Sequence, residues 1–351
     1  MKIQFMTATI ILITALTVLN SCDHNITGPI ADTPGKRDYI WKVDTLDCPF
    51  NTAFRIWGIS PIDVWVTTVP GDMDKTIFHF DGKKWSTDGI PRPLSPGGVW
   101  GFASDDVYIA GETDIWHYDG KTLKELTNFR NDSIFIRFNG IWGENNKNIY
   151  SFGASSDSNG LLNNSYMVNY KNNKWVKVNM GNVKGIIKKF YYDDYSKKHY
   201  LSLGRMWNGL YRDSTLIYEY SGSNFKYIQG SIWDKGTESN ISLVNGDVYF
   251  VLGKQIAKRA GTEFKTIVEV NSPNFYQRIW GRSSKDIFLF MTDGLAHYNG
   301  SDIAYLFYYT DRFSLPFPQI MGAAIFETEV FFIVYEPQTG LSLIYHGKLI
   351  N

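Results

Sequence analysis

Residues 56–85 read IWGISPIDVWVTTVPGDMDKTIFHFDGKKW, and the pattern within this stretch recurs along the chain. It consists of an apolar segment ending in Trp-Gly, an Asp-Val pair, and an aromatic-Asp-Gly turn followed three residues later by a large apolar residue. Val, Ile, Phe, Tyr and Trp dominate the segments between turns, which is typical of strands with half-buried surfaces. The stretch therefore predicts four antiparallel strands, Phe54–Ile59, Val64–Val69, Thr76–Phe80 and Lys84–Thr87.

The aromatic-Asp/Asn-Gly turn marks each repeat. Such dipeptides between apolar runs are strong hairpin signals, because a type I′ turn needs positive φ at both central residues. The candidate turns are Phe80–Gly82, Tyr118–Gly120, Tyr170–Asn172, Tyr220–Gly222, Arg259–Gly261, Tyr298–Gly300 and Tyr345–Gly347. The opening pair moves from Val64 to Val330 in six steps, roughly 44 residues each, which lies in the range of propeller blades. The sequence therefore predicts an all-β, seven-bladed β-propeller of four-stranded antiparallel blades.

The two ends of the chain predict how the ring closes. After the last candidate turn the chain stops at Asn351, before a fourth strand can form. The segment Asp38–Leu46 supplies a strand at the other end, with Trp41 in the position that Trp85 holds in the first repeat. A closed ring leaves no long exposed sheet edge. A pair of β-sandwiches or an open solenoid would not explain this displaced strand. Gly181–Tyr192 and Ser231–Val244 lack Trp-Gly, so the register of blades four and five stays open.

The N-terminal residues 1–21 resemble a bacterial lipoprotein signal peptide. Lys2 precedes an apolar run, Ile10–Leu19, that is short for a membrane span and typical of a secretory signal. Leu19-Asn20-Ser21-Cys22 resembles a lipobox, which implies a lipid on Cys22. The alternatives are an uncleaved anchor or an ordinary signal with a chance cysteine. We expect residues 22–37 to be a flexible tether and residues 38–351 to be the propeller.

Composition excludes some partners. Lys and Arg total 35, as do Asp and Glu, so the chain has no general electrostatic footprint for nucleic acid. A lysine run from Lys184 to Lys198 is interpreted as a solvated face of blade four. Cys48 is interpreted as a small buried hydrophobe. We expect a monomer.

No catalytic or metal-binding constellation is recognisable. His79, His117 and His297 hold equivalent positions in different repeats, so a propeller disperses them around its ring, and we interpret them as structural strand residues. Asp72 and Asp74 are interpreted as part of a polar loop. There is no nucleophile elbow, phosphate loop or Cys/His metal spacing. We predict no cofactor, metal or catalytic residue, and leave open whether the protein is an enzyme.

Insertions in the repeats provide the candidate binding residues. The loops between strands two and three share one face of a propeller with the connectors between blades. We expect extended loops at Ala154–Ser165 in blade three and Gly204–Thr215 in blade four. Apolar residues at a loop tip are costly unless they pack or bind. The candidate ligand-binding residues in the second loop and in the connector after blade six are Arg205, Trp207, Tyr211, Arg212, Tyr309 and Phe313.

The recurrent Ile-Trp-Gly, Asp-Val-Trp/Tyr and His-Tyr-Asp-Gly elements resemble the Trp-Gly β-propeller repeats of secreted bacterial proteins and lipoproteins, broadly akin to kelch and WD repeats. The resemblance covers Asp38 to Ile350 and implies the fold, because the shared residues are structural. Our first hypothesis is a lipid-anchored, extracytoplasmic scaffold in the cell envelope, periplasmic or at the cell surface, that binds an envelope protein. The alternatives are a glycan-binding module and a glycan-active enzyme.

Overall fold

Each sequence repeat folds as one four-stranded antiparallel sheet. The computed structural model describes residues 33–350 apart from 70, 132, 207–213, 223, 234–237 and 310–317. This part of the chain contains 28 strands and no helix, arranged in seven sheets. Among the same residues no helix is long and apolar enough to span a membrane. The all-β, four-stranded repeat is confirmed.

The strands follow one another in chain order within each blade, except in the last. Blade one contains β2 (Thr52–Ser60), β3 (Asp63–Val69), β4 (Ile77–Phe80) and β5 (Trp85–Ser86), and an N-terminal strand β1 (Tyr39–Thr45) precedes it. Blade two contains β6 (Gly98–Ala103), β7 (Asp106–Ala110), β8 (Asp114–Tyr118) and β9 (Leu123–Asn128), and blade three contains β10 (Ile136–Asn145), β11 (Asn148–Ser156), β12 (Leu162–Lys171) and β13 (Lys174–Lys177). Blade four contains β14 (Ile186–Asp193), β15 (Lys198–Arg205), β16 (Ser214–Ser221) and β17 (Asn224–Ile232), and blade five contains β18 (Ser239–Val244), β19 (Asp247–Leu252), β20 (Gln255–Ala260) and β21 (Glu263–Glu269). Blade six contains β22 (Phe275–Ser283), β23 (Asp286–Met291), β24 (Gly294–Tyr298) and β25 (Ile303–Tyr308), and blade seven contains β26 (Gln319–Ile325), β27 (Glu329–Glu336) and β28 (Leu341–Leu349).

The first strands of the blades form the inner wall of the ring. They are β2, β6, β10, β14, β18, β22 and β26, and each contacts the next, with β26 returning to β2. This closed circuit surrounds a central channel. The predicted seven-bladed propeller is therefore confirmed, and the inner strands are the elements whose side chains can reach the channel.

The N-terminal strand completes blade seven, as predicted. β1 pairs antiparallel with β28, and Trp41 lies opposite Gly347. In blade one the corresponding pair is Trp85 opposite Phe80. Trp41 therefore holds the position that the sequence assigned to it. The ring is closed by backbone hydrogen bonds between the two ends of the chain.

The predicted seventh turn, Tyr345–Gly347, is wrong. These residues lie inside β28, which continues to Leu349 and pairs with both β27 and β1. Blade seven receives its fourth strand from the other end of the chain, so no turn is needed there. Gly347 instead corresponds to Phe80 of blade one, because each lies opposite the second residue of strand two in its own blade.

Most of the other turns differ from type I′. In blade one Gly82 has positive φ, while the Asp81 carboxylate accepts hydrogen bonds from the backbone N–H groups of Lys83 and Lys84. Asp119 and Asn299 do the same in blades two and six. The turn residues were correctly located, but their side chains stabilise longer loops. Asn172 and Asn173 in blade three both have positive φ and match the type I′ expectation.

The structure settles the register of the degenerate repeats. Tyr191 lies opposite Tyr200 in blade four, and Ser242 lies opposite Tyr249 in blade five, as Trp57 lies opposite Trp65 in blade one. In blade seven Ala324 holds this position. The alignment of Met321-Gly322 with Trp-Gly is therefore wrong by three residues. Met321 is the bulged residue of β26 and corresponds to Phe54, the first bulged residue of β2.

A polar pair between strands two and three recurs in every blade. The pairs are Asp63–His79, Asp106–His117, Asn148–Asn169, Lys198–Glu219, Asp247–Lys258, Asp286–His297 and Glu329–His346. In each pair, the first residue of strand two bonds to the strand-three residue that lies opposite the third residue of strand two. This position confirms that the three predicted histidines are structural. His346 belongs to the same set and does not lie in a turn.

The Trp-Gly pair joins neighbouring blades. Trp57, Trp100 and Trp142 follow one another around the ring, with ring centroids 6.5 and 6.2 Å apart. A Cβ on Gly101 would lie 2.6 Å from the Trp57 ring, and one on Gly143 would lie 2.7 Å from the ring of the preceding blade's Phe102. Glycine is needed because the aromatic residue of one blade occupies the space of a side chain on the next. Cys48 is buried, as predicted.

Candidate binding site at the channel mouth

The alternation of strand directions gives the propeller two distinct faces. Loops between strands two and three, together with the connectors between blades, lie on one face, here called the loop face. Hairpins between strands one and two, and between strands three and four, lie on the opposite hairpin face. Each inner strand begins at the loop face, so residues early in an inner strand lie near the channel mouth on that side.

Basic side chains occupy this end of the inner strands. Arg55 lies in β2, Arg137 in β10, Lys188 and Lys189 in β14, and Arg278 in β22. Each belongs to the first half of its strand.

Bulges turn the inner strands at this level. Register shifts fall between Phe138 and Gly140, and between Ile187 and Lys189. In β22 the three residues 276–278 are out of register with β23. A bulge re-aims side chains, which is how strands packed between blades can direct residues into a channel.

Hydrogen bonds from side chains to carbonyls connect the blades around the mouth. Arg55 donates from Nη2 to the Asn139 carbonyl at 3.1 Å, and the Asn139 amide donates to the Ile187 carbonyl at 3.3 Å. Lys189 donates from Nζ to the Ile241 carbonyl at 2.7 Å.

The other half of the circuit follows the same pattern. Asn240 donates to the Gln277 carbonyl at 3.1 Å, and Arg278 donates from Nη1 to the Ile320 carbonyl at 3.1 Å. The polar ends of these side chains are therefore held by backbone carbonyls of other blades. An Arg uses only part of its donor capacity in one such bond.

Blade two contributes glycine where other blades contribute side chains. A Cβ on Gly97 would lie 2.2 Å from the Phe138 carbonyl, and one on Gly98 would lie 2.7 Å from Gly140. The inner strands of blades two and three therefore meet backbone to backbone. This close approach lets Arg55 of blade one extend past blade two to reach Asn139 of blade three.

The basic residues are close enough to perturb one another. Burial lowers the pKa of Arg55 to about 10, and the charge of Arg278 lowers it further. Burial also lowers the pKa of Arg278. Lys189 is the most affected: burial first, then Arg278 and Arg55, lower its pKa to about 7. At neutral pH this ammonium is therefore partly deprotonated.

Lys188 reaches water but is surrounded by protein. Its pKa is lowered by desolvation first, then by the charges of Arg55, Arg278 and Arg137, while Glu238 acts in the opposite direction. Its stem lies against Gly204, where a Cβ would be 2.8 Å from Lys188 Cε. A side chain in a narrow channel can contact water while protein encloses it on most sides.

The arrangement can bind anions. Among the described residues of the mouth, Glu238 is the carboxylate that balances five cationic side chains, and burial raises its own pKa. A glycosidase needs two carboxylates across its substrate. Glu238 stands alone among the described channel residues, so this pair is not found there. Within the described chain there is also no cluster of three or more His, Cys, Asp or Glu residues that could hold a metal ion.

The sequence-predicted binding residues are only partly visible. Cys22, Trp207, Tyr211, Arg212 and Phe313 lie outside the described residues.

Two predicted binding residues can be placed. Arg205 ends β15 at the loop face. Tyr309 is only 2% exposed, and its ring packs against Phe307 and Tyr345 with centroids 5.6 and 6.2 Å away. Its neighbour Tyr308 is 52% exposed and stacks on Tyr305.

The insertion in blade three is mostly strand. β11 extends to Ser156 and β12 begins at Leu162, so the connecting loop is short. The expected long loop Ala154–Ser165 is therefore wrong, because the inserted residues continue the ladder between the two strands.

Sequence reasoning missed the basic mouth. The lysine run was interpreted as a solvated face, whereas Lys188 and Lys189 lie on an inner strand. A signal was present: Arg55, Lys189 and Arg278 each stand two residues before the position of the repeat's Trp. The corresponding residues of blades two and three are Gly98 and Gly140.

The propeller resembles solved structures at low sequence identity. It superposes with a TM-score of 0.59 and 12% identity on YCF48 bound to a D1 peptide, over 91% of this chain and 100% of that chain. A catalytically inactive virginiamycin B lyase from Staphylococcus aureus with quinupristin gives a TM-score of 0.63 and 14% identity, over 89% and 100%. An extracellular domain of a protein named as a hybrid two-component system from B. thetaiotaomicron gives 0.59 and 12%, over 88% of this chain but 40% of that one. At these identities the likeness shows the fold alone.

No protein-family profile matches the chain, and no curated protein matches it.

Proposed function

We propose that this protein is a lipid-anchored, extracytoplasmic scaffold that binds an envelope protein through its loop face. The observation that carries the proposal is the distribution of exposed apolar side chains. Of the seventeen exposed large apolar residues in the described part of the chain, ten lie on the loop face: Phe50, Met73, Ile90, Ile134, Phe135, Leu161, Met206, Ile232, Tyr308 and Leu341. Three lie on the hairpin face, namely Ile62, Tyr195 and Ile350, and the remaining four lie on outer strands.

Concentration of apolar surface on one face favours a protein partner. Exposed apolar side chains scattered singly are ordinary, but their accumulation around one rim is typical of an interaction surface. Of the candidate residues, Arg205 ends β15 on this same face, and Trp207 and Tyr211 follow it in the sequence before β16 begins. YCF48, which has the same fold, is described as bound to a peptide, which supports a peptide or protein ligand for this architecture.

The path of the N-terminal segment supports an orientation in which the loop face is directed away from the membrane. Gly35 donates its N–H to the Lys285 carbonyl at 2.9 Å, and Arg37 forms an ion pair with Asp302 at 3.1 Å. Lys285 and Asp302 lie in hairpins of blade six, so the chain enters the propeller on the hairpin face. A lipid on Cys22 would then hold the hairpin face nearer to the membrane and leave the loop face directed away. In this proposal residues 1–21 are the signal peptide, and residues 22–37 are a tether whose last residues contact the hairpins of blade six.

Affinity capture tests the proposal. The full chain is immobilised in detergent and exposed to detergent-solubilised envelope of the native organism. A Phe135→Ser/Leu161→Ser variant and a Trp207→Ala/Tyr211→Ala variant alter the loop face. An Ile62→Ser/Tyr195→Ser variant removes two comparably exposed apolar residues from the hairpin face and serves as the matched control.

The expected result is one near-stoichiometric protein that is captured by the wild type and the control but not by the loop-face variants. Capture that depends on the hairpin-face residues, or no captured protein at all, would contradict the proposal.

A glycan-binding function is the second candidate. A hollow of about 600 Å³ on the hairpin face of blade three is lined by four amide side chains, by two lysines and by one tyrosine: Asn148, Asn169, Asn172, Asn173, Lys147, Lys171 and Tyr150. Amides both donate to and accept from sugar hydroxyls. A glycan array, followed by an Asn169→Ala/Asn172→Ala variant, tests this function. Competition by a soluble sugar would distinguish it from protein binding.

A further inference from the structure

We propose that the basic channel mouth is a binding site for an acidic peptide segment, whose carboxylates are received by Arg55, Arg137, Lys188 and Arg278. The proposal rests on the proposed function, since it places an acidic segment of the protein partner in the centre of the loop face. The proposal specifies the charge of the bound segment, which the exposed apolar side chains of the loop face do not.

The first argument is that the cations are positioned before a ligand arrives. Arg55 and Arg278 are each tied to a carbonyl of another blade, Asn139 and Ile320 respectively. Arg55 also donates from Nη1 to the Phe54 carbonyl at 3.2 Å. These bonds fix the side chains at the inner wall and use only some of the five N–H donors of each guanidinium. A site whose donors are already ordered loses less conformational entropy on binding.

The second argument is that two cations have no partner in the described structure. The side chains of Lys188 and Arg137 form no hydrogen bond and no ion pair with the described residues, although the charge of Arg137 lowers the pKa of Lys188. Like charges held together in a partly enclosed space repel one another, and a bound anion would relieve this repulsion. By comparison, the buried carboxylate of Asp286 is paired with both His297 and Arg282.

The third argument concerns the shape of the ligand. The mouth is enclosed by seven inner strands, and the Arg55 side chain spans the width of one blade within it. An extended peptide is narrower than a nucleic acid duplex, so it is the ligand that a mouth enclosed on all sides favours. The chain is neutral overall, so it lacks the excess of positive charge that is typical of nucleic-acid binding. Guanidinium groups match carboxylates well, since their planar donors can bind both oxygens.

The probe for the test is a hexaglutamate peptide, with neutral hexaglutamine as the matched peptide. Binding to the full chain is measured by calorimetry at low and high salt. An Arg137→Gln/Lys188→Gln variant removes two cations that make no hydrogen bonds among the described residues, so the fold is retained. A Lys83→Gln/Lys84→Gln variant removes two exposed cations from a hairpin of blade one and is the matched control.

The expected result is binding of hexaglutamate alone, weakened by salt, weakened about tenfold in the channel variant and unchanged in the control. An Arg55→Gln/Arg278→Gln variant should weaken binding further, with its folding checked by thermal unfolding. Absence of binding, or equal binding by the channel and control variants, would overturn the proposal. Binding of citrate or pyrophosphate without binding of hexaglutamate would also overturn it and assign the site to small anions.

The outcome is independent of the capture experiment. If an envelope protein is captured but hexaglutamate does not bind, the channel proposal fails while the scaffold proposal stands. If hexaglutamate binds at the mouth but no protein is captured, the anion-binding site stands and the proposal of an envelope-protein scaffold fails.

Discussion

The indole ring of Trp41 lies over Gly347, so that a Cβ on this glycine would be 2.8 Å from the ring. Trp41 belongs to the first strand of the chain and Gly347 to the last, and the two residues are opposite each other in the ladder of blade seven. The ring also contacts Phe307 of blade six edge-on, with centroids 4.9 Å apart. One side chain therefore joins both ends of the chain and the neighbouring blade.

Removal of this contact should open the ring. We expect Trp41→Ala to lower the free energy of unfolding by about 2–4 kcal/mol, because a large, partly buried aromatic is lost from the closure. Gly347→Val should also be destabilising, since its side chain would occupy the space of the indole. Denaturant unfolding of both variants provides the measurement. Ile40→Ala, at an exposed neighbour on the same strand, is the control, and an equally large effect there would contradict the assignment.

The His297–Asp286 pair should stabilise the fold in a pH-dependent way. Burial alone would raise the pKa of Asp286, but the hydrogen bond from His297 and the charge of Arg282 outweigh it and lower this pKa. An Asp with a lowered pKa contributes stability above its unfolded pKa, and this contribution is lost as pH falls through the folded value. Asp286→Asn should therefore destabilise the protein at pH 7 and have a smaller effect at acidic pH.

Thermal unfolding of Asp286→Asn from pH 3 to pH 8 provides the measurement. Asp63→Asn is the matched control, because its partner His79 is more exposed than His297 and the pair should contribute less. An effect of Asp286→Asn that does not change with pH would show that the charge is not responsible.

Asp114 should destabilise the native protein at neutral pH. Burial raises its pKa to about 6 from an ordinary 3.8. Because the folded state holds this proton to higher pH than the unfolded chain, the free energy of unfolding falls as pH rises between these values. Asp114→Asn, which does not titrate, should be more stable than wild type at pH 7 by up to about 3 kcal/mol, since a pKa unit corresponds to about 1.4 kcal/mol.

This difference should disappear below pH 4, where the wild-type carboxyl is neutral in both states. Asp105→Asn, at an exposed carboxylate, should be nearly neutral throughout. A variant of Asp114 that is less stable than wild type at pH 7 would contradict the prediction.

Lys189 should make anion binding depend on pH. Its ammonium loses its proton near pH 7 because it is buried and faces Arg278 and Arg55, with Lys188 next to it in the chain. A bound carboxylate favours the protonated form, so proton uptake accompanies binding near and above this pH, where part of the free protein has lost the proton. Hexaglutamate affinity should therefore decrease between pH 6 and pH 8. Calorimetry on Lys189→Gln should give weaker binding with a flatter pH profile, and an unchanged slope would assign the titration to another group.

The sequence alone determined the architecture. Turn residues, strand periodicity and the Trp-Gly pairs are local features, each dictated by the short segment that contains it, and their recurrence fixed the number of blades. The displaced strand with Trp41 was also readable, because its pattern is that of a fourth strand. The same local reasoning failed at Tyr345–Gly347, where β28 pairs with β1 from the other end of the chain and no turn forms. It also failed at Met321-Gly322, which is only similar to Trp-Gly, since Ala324 holds the Trp position in the pairing of β26 with β27.

Only the tertiary structure decided where charge is concentrated. Arg55, Lys189 and Arg278 are separated by 134 and 89 residues along the chain, and their shared position in the repeat does not by itself show that they meet at one channel mouth. Closure of seven blades brings their inner strands to one channel, and bulges turn the side chains toward its mouth. Electrostatic interaction depends on distance in space and on the surrounding dielectric, and both are established only when the ring has closed.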